Sequence, residues 1–418
     1  MEDLIYGLAD MQSFYASCEV ATRPEYAAKR HRFDDASDPP LVVAGDPKRR
    51  SGIVLAATPT AKAKGVTTAM RLGEALRLAP GLVVVPPRMR LYLEISIQIQ
   101  AVMRDMFPLQ EQFSVDEGFF ALPVRSLLIP DPVAQARAFQ ARVWEQFRIR
   151  CRIGMAPNKW LAKMANKAAK KTPGGVLWWR TEDVPGVLHP LPVTEMWGLK
   201  RRADRLRDQL QCETIGDVAR LPISLLQRQF GVWGDIIWHW AHGIDTSPID
   251  PDSYDSVHKS YSHRTTLPRD YNAQDDIAVV ILELLDEVCC RVRKAGLRGR
   301  RIGLGLTYAG FEGGFYRART LGGYEDEARA LYPILLGLLD RHWDGSGVRA
   351  VGVALDQLTP AAALQLSLFE DVPRVHRLSQ TVDALRERWG ETAVMRAVSL
   401  TPAGQLRDRS RKIGGHWS

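Results

Sequence analysis

Three carboxylates in this chain stand where charge is expensive. Asp10 ends an apolar run of strand length, Leu4-Ile5-Tyr6-Gly7-Leu8-Ala9, and taken alone an aspartate in that place is most often a helix cap. Asp116 and Glu117 shift the balance. They are adjacent and flanked by Phe113, Val115, Phe119 and Phe120, and two charges in apolar surroundings cost solvation unless cations offset them. With Asp10 they make a set of hard oxygen ligands of the kind Mg2+ prefers, leaving other coordination positions to water and phosphate oxygens. Two such ions roughly 3.5–4 Å apart can activate a 3′-hydroxyl and stabilise a departing pyrophosphate. Mn2+ is a possible substitute for Mg2+ in an oxygen site of this type.

The elements that must hold these groups are readable from periodicity and turn residues. Strand-like segments at Leu4–Ala9, Pro40–Ala44, Ile53–Ala57, Leu82–Val85 and Ile149–Met155 alternate with helix-like stretches at Leu91–Phe107, Pro132–Gln146 and Asn158–Lys171, which indicates an α/β domain. Glu111–Leu122 reads as strand, tight turn and strand, with Asp116-Glu117-Gly118 at the bend. Residues 182–245 show several short helical patterns and no convincing strand, and the polar, proline-containing run 245–255 resembles a linker. Beyond it, strand-like Lys259–Thr266, a helix over Ala273–Lys294, strand-like Arg301–Tyr308, a helix over Tyr324–Arg341 and strand-like Val348–Leu355 predict a second α+β domain in the order β-α-β-α-β.

At 418 residues the chain exceeds what one core usually organises, and about two to four domains are expected. No apolar run is long enough to span a membrane and the first residues do not resemble a secretory signal, so a cytoplasmic protein with no membrane partner is expected. The five cysteines are scattered without a C-x-x-C pair, which supports neither a disulfide framework nor a zinc site. A net charge of +8 favours a polyanionic partner, since Lys and Arg gain by displacing counterions from nucleic acid.

Two segments carry a resemblance to a known family. Asp10-Met11-Gln12-Ser13-Phe14-Tyr15-Ala16-Ser17-Cys18-Glu19 and Ser114-Val115-Asp116-Glu117-Gly118-Phe119 are similar to the two palm motifs of Y-family translesion DNA polymerases, and the ending, residues 396–404 followed by 407–416, resembles the bacterial UV-damage-repair (UvrX-like) branch. The resemblance implies that Asp10, Asp116 and Glu117 are catalytic and bind two Mg2+ ions, with the Met11 carbonyl as a further ligand. It makes Tyr15 the steric gate, whose ring would clash with a 2′-hydroxyl, with Phe14 beside it at the nucleotide.

The stretch Ala57–Val66 resembles the fingers motif that meets the triphosphate, which implicates Thr58 and Lys62. Pro59 stands where many relatives have Tyr, and Lys62 where many have Arg, a point charge in place of a bidentate fork. In Asn158–Gly174, the lysine before the proline turn corresponds to a further triphosphate ligand, Lys170 or Lys171; the remaining lysines are expected to face solvent or DNA. Gly198-Leu199-Lys200, with Arg201, resembles a helix-hairpin-helix that binds DNA phosphates, but it keeps only the first of two glycines. Arg298, Arg300 and Arg301 match the position of the DNA-binding little finger. Gln365-Leu366-Ser367-Leu368-Phe369 resembles the bacterial sliding-clamp peptide, in which Gln365, Leu366, Leu368 and Phe369 make the contacts.

The resemblance therefore implies a multidomain α+β and α/β right-hand polymerase, a monomer. Its palm is residues 1–13 and 88–180, its fingers 14–87, its helical thumb 181–247, a linker 248–258, its little finger 259–358 and a tail 359–418. Its partners are primer-template DNA, deoxynucleoside triphosphates and the sliding clamp, and no segment offers itself as a proofreading exonuclease. A noncatalytic adaptor that binds DNA and clamp would not need the carboxylates. A two-metal nuclease would need them, but not the gate aromatic and the paired triphosphate lysines.

Overall fold

The computed structural model describes residues 4–45, 52–123, 131–252, 258–361, 372–413 and 416–417, for 372–375 and 416–417 the backbone alone. It divides into two compact units, Met1–Ser256 and Val257–Ser418. The first unit opens with β1 (Leu4–Met11), α1 (Phe14–Ala21), α2 (Pro24–Ala27), β2 (Leu41–Ala44), β3 (Val54–Ala57), α3 (Pro59–Ala63), α4 (Leu72–Leu78) and β4 (Val83–Val85). It continues through α5 (Met89–Met106), β5 (Leu109–Gln112), β6 (Glu117–Pro123), α6 (Pro132–Phe147), β7 (Cys151–Ala156), α7 (Lys159–Ala169) and β8 (Val176–Trp178). Five helices follow: α8 (Val184–Val187), α9 (Arg201–Leu210), α10 (Ile215–Ala219), α11 (Ile223–Phe230) and α12 (Val232–Ala241).

A five-stranded sheet, ordered β5-β6-β1-β7-β8, carries the carboxylates. Its central strand β1 pairs antiparallel with β6 on one side and β7 on the other. Leu8 and Ala9 are fully buried and Asp10 is only 8% exposed, so the strand delivers its carboxylate into an enclosed setting. Helix α7 lies against the sheet so closely that a Cβ on Gly154 of β7 would meet the Asn166 amide at 2.0 Å; only glycine admits that approach. The contact sets the height at which the lysines of α7 reach the strand ends. A separate three-stranded sheet, β3-β2-β4, contains the fully buried Val42, Val43 and Val54. The helical segment expected between residues 182 and 245 is present, with a core of Leu199, Leu206, Ile215, Val218, Leu226 and Ile237.

The second unit comprises β9 (Ser260–Tyr271), α13 (Gln274–Lys294), β10 (Leu297–Tyr308), β11 (Gly314–Glu325), α14 (Ala328–His342), β12 (Val348–Pro360) and α15 (Val372–Trp389). Its sheet is antiparallel throughout, in the order β11-β10-β12-β9, with Ile281, Leu284, Leu285 and Leu335 packed on Ile302, Leu304, Val351 and Val353. The element order is β-α-β-β-α-β, which corrects the sequence expectation: β11 was not foreseen, and the helix expected from Tyr324 starts at Ala328. Strand β11 is an edge strand with no residue buried, so it lacks the apolar alternation by which strands are read.

The region after β12, expected as a tail, is part of this unit where it is described. Asp383 of α15 accepts from Arg293 Nε and Nη2 at 2.8 and 3.2 Å. Arg396 forks onto Asp286 at 2.6 and 2.8 Å, and Tyr271 Oη donates to the Ala403 carbonyl at 3.0 Å. Polar anchors of this kind leave no periodic signature in the sequence. All five cysteines are free, and among the described residues no helix is long and apolar enough to cross a membrane.

Candidate active site

Strand pairing puts the carboxylates together. Asp10 sits directly opposite Glu117 in the β1–β6 ladder, and the Met11 amide donates to the Asp116 carbonyl at 2.9 Å. The turn that presents Asp116 is tied down by Phe113 and Ser114, whose amides both donate to the Glu117 carbonyl at 3.1 and 3.0 Å. The Ser114 hydroxyl donates to Asp116 Oδ1 at 2.8 Å.

Two lysines of the α7 segment answer the charge. Lys170 Nζ donates to Asp10 Oδ2 at 2.8 Å, and Lys163 Nζ pairs with Glu117 Oε1. The seven-residue spacing is two helical turns and puts both ammonium groups on one face. Asn158 starts the helix as its cap, accepting from the Leu161 amide at 2.9 Å. Lys170, rather than Lys171, is the lysine at Asp10. The other lysines do not simply face outward: Lys163 is largely buried, and Lys159 pairs with Glu111 at 2.6 Å.

These cations do not compensate the site. Burial pushes the Asp116 carboxyl above its ordinary value, the Ser114 hydrogen bond opposes this and the Asp10 charge adds to it. Burial likewise raises Glu117 against the pull of Lys163, with Asp10 again raising it. Partly buried carboxylates that resist ionising beside lysines are short of positive charge, and their donor atoms are all oxygen. The residues present thus fit a divalent cation, which Asp10, Asp116, Glu117 and the Met11 carbonyl would hold.

Around this centre lie the other expected groups. Tyr15 on α1 stacks on Tyr92 of α5, with ring centroids 4.6 Å apart and planes 17° from parallel. Phe14 is a core residue, 3% exposed. Lys62 Nζ donates to the Ser13 hydroxyl at 2.8 Å, in the left-handed turn that starts α1, and burial and the nearby Lys170 push its ammonium pKa down. Thr58 calls for a correction. Its side chain is fully buried, accepts from the Leu41 amide at 3.0 Å and caps α3, so it orients the helix that carries Lys62 and offers no free hydroxyl to a ligand.

At the hairpin, Gly198 has φ 92° and Lys200, where the second glycine is missing, adopts φ 44° and ψ −120°. That is a costly backbone for a residue with a side chain; Arg201 begins α9 directly after it. In the second unit the three basic candidates differ. Arg298 is turned inward, Nε lying 3.4 Å from the buried Asp326, whereas Arg300 is exposed and its guanidinium lies 5.9 Å from the Tyr324 ring centroid. Arg301 pairs loosely with Asp356 at 3.6 Å. Asp326, Glu327 and His376 converge there as well, with Arg293 and Arg298 supplying positive charge around them, which makes the cluster a clasp for α15. Gln365, Leu366, Leu368 and Phe369 lie outside the described residues.

Sequence reasoning missed the buried polar network behind the site. Glu19, fully buried, accepts from Arg88 Nε and Nη2 at 3.0 and 2.8 Å and from Tyr92 Oη at 2.6 Å. Buried Asp38 is clamped by Arg30 and Arg150, each at 2.7 Å. The one signal that could have found Glu19 is its place four residues after Tyr15, on the same helical face.

A carboxylate triad on paired strand ends, a gate-like aromatic and lysines converging beside them define the class of nucleotidyl-transferring polymerases. The comparisons agree with that class. The impB/mucB/samB family profile matches residues 9–167, and the profile of that family's C-terminal domain matches residues 258–368. A protein named DNA polymerase IV 2 of Halalkalibacterium halodurans is 40% identical over 99% of this chain and 100% of its own. A Bacillus subtilis protein named putative UV-damage repair protein UvrX is 34% identical over 98% of this chain and 96% of its own. Among solved structures, a Y-family DNA polymerase chimera superposes with a TM-score of 0.69 at 23% identity, covering 84% of this chain and 98% of that one; this supports the fold. The chain belongs to the impB/mucB/samB family, the Y-family of translesion DNA polymerases. It is a DNA-directed DNA polymerase that depends on a divalent metal and takes template DNA and deoxynucleoside triphosphates.

Proposed function

We propose that the polymerase extends a primer past damaged bases using two Mg2+ ions, for which Mn2+ can substitute, held by Asp10, Asp116, Glu117 and the Met11 carbonyl. The observation that carries this reading is the convergence of the three carboxylates, Asp10 seated opposite Glu117 and the Met11 amide tied to the Asp116 carbonyl, with Lys163 and Lys170 beside them. When bound, the metal supplies Lewis acidity to the 3′-hydroxyl and to the departing pyrophosphate.

The protein's own groups then have distinct tasks. Lys62 and Lys170 release Ser13 and Asp10 to meet triphosphate oxygens, while Lys163 stays on Glu117 and limits its repulsion of Asp10. Tyr15 excludes the 2′-hydroxyl. The amides of the Gly198–Arg201 turn and the start of α9 receive a DNA phosphate, with Lys200 adding its charge. Arg300 and Arg301 of the second unit contact the DNA backbone, and Gln365, Leu366, Leu368 and Phe369 dock on a sliding clamp. We assign palm to residues 1–13 and 88–180, fingers to 14–87, thumb to 181–247 and little finger to 259–358, in a monomer acting in the cytoplasm.

The test is primer extension by the purified chain with Mg2+ and deoxynucleotides on undamaged and lesion-bearing templates, beside Asp116→Ala. Extension past the lesion that falls on the order of a thousandfold in the variant supports the assignment. An Asp116→Ala protein that extends normally would refute it.

A further inference from the structure

We infer that Tyr92, held by Glu19, is a positioning residue for sugar selection that acts through Tyr15; this rests on reading Tyr15 as the gate. Tyr15 is only partly buried, so its own surroundings do not fix its ring. The face it turns inward lies on the ring of Tyr92, 4.6 Å away and nearly parallel, and Tyr92 is fully buried. The support is therefore the better ordered of the two rings.

Tyr92 is in turn tied to the helix that carries the gate. Its hydroxyl donates to Glu19 Oε1 at 2.6 Å, and Glu19 stands one turn after Tyr15 on α1, pointing to the same side. Arg88, at the start of α5, forks onto both oxygens of Glu19 at 3.0 and 2.8 Å and reaches the Thr22 hydroxyl at 2.7 Å. Arg23 also pairs with Glu19. The result is a closed circuit running from the Tyr15 ring to Tyr92, from Tyr92 to Glu19, and back along α1 to Tyr15.

Such a circuit is an expensive way to fill space. A leucine at position 92 would occupy the core without burying a hydroxyl, a carboxylate and part of a guanidinium. What it adds is a ring plane of fixed tilt. A gate that must detect one hydroxyl fails if its ring swings, and an aromatic pair in this geometry resists that motion by an amount equivalent to roughly twofold to tenfold in an equilibrium.

Single-nucleotide insertion by the full chain, with matched deoxy- and ribonucleotides, tests the inference through the ratio of their kcat/KM values. In Tyr92→Leu the preference for the deoxynucleotide should fall roughly threefold to tenfold, with deoxynucleotide insertion itself close to wild type. Tyr92→Phe keeps the ring and loses the tether; it should fold without difficulty and show a smaller loss of preference. A Tyr92→Leu protein that loses both insertions in equal proportion marks Tyr92 as merely structural and overturns the inference. So does a Tyr92→Phe protein with unchanged preference, as far as Glu19 is concerned. Tyr15→Ala separates the two levels: if it loses sugar preference while Tyr92→Leu keeps it, only the support fails, and if Tyr15→Ala keeps it, the gate reading fails first.

Discussion

Two carboxylate sites of the first unit, Glu19 and the Asp116-Glu117 turn, are built on opposite principles. Glu19 is fully buried, yet its carboxyl is held below its ordinary value: burial raises it, but the hydrogen bonds from Arg88, Tyr92 and Arg23 outweigh that cost. Asp116 and Glu117 are less enclosed, and both are raised, because burial and the neighbouring Asp10 outweigh Ser114 and Lys163. The donors differ in number: Arg88, Tyr92 and Arg23 all reach Glu19, against Ser114 alone for the Asp116 side chain and Lys163 alone for Glu117. Glu19 is satisfied within the fold, whereas Asp116 and Glu117 keep a deficit that a cation would offset.

The contrast breaks most visibly through activity. Asp116→Ala should lower extension on the order of a thousandfold while the protein remains folded, whereas Glu19→Ala should lower stability first and activity only in proportion to the unfolded fraction. A Glu19→Ala enzyme of normal stability with no activity would erase the distinction. Removing Glu19 should cost about 2–3 kcal/mol in denaturant unfolding, below the 3–5 typical of breaking an enclosed ion pair, because the side chain of Arg88 is 44% exposed and that of Arg23 24%.

Asp116→Asn relieves the deficit and should raise the metal-free melting temperature, by about 2–4 °C if the relief is about 1 kcal/mol. It should also blunt the further rise that Mg2+ gives the wild type, as thermal shift with and without EDTA would show. The pH dependence has opposite signs at the two sites. Because Glu19 is lowered in the fold, its contribution is complete above the ordinary glutamate value and is lost as pH falls through the lowered one. Because Asp116 is raised, its ionisation costs stability as pH climbs past the ordinary aspartate range. Acid unfolding of Glu19→Gln should therefore lose part of the wild-type slope below the ordinary glutamate value.

The smallest effect is a backbone one. Lys200→Gly should stabilise the protein by about 1 kcal/mol by removing the positive-φ strain. If the variant is instead no more stable, the turn carries no strain to release.

Much of the candidate site's geometry was legible because its pattern is local. An apolar strand ending in Asp10, a turn bearing Asp116 and Glu117, and an aromatic five residues after Asp10 are patterns of type and spacing. The alternation of strands and helices followed from hydrophobic period, and it failed at β11, where an uncovered edge strand has no period to show. Thr58 could be read as a ligand because its neighbours are basic; that its hydroxyl is consumed by the Leu41 amide and the α3 cap depends on β2 lying beside it.

What the sequence by itself determined is which groups exist to do chemistry and that Asp10 ends an apolar strand while Asp116 and Glu117 sit at a turn. Only the tertiary structure decided how each charge is answered. The choice of Lys170 over Lys171, the pairing of Lys163 with Glu117 and the burial of Glu19 beneath Tyr92 join residues 46 to 160 positions apart. Ion pairing and desolvation depend on distance through space, which neighbours along the chain do not reveal.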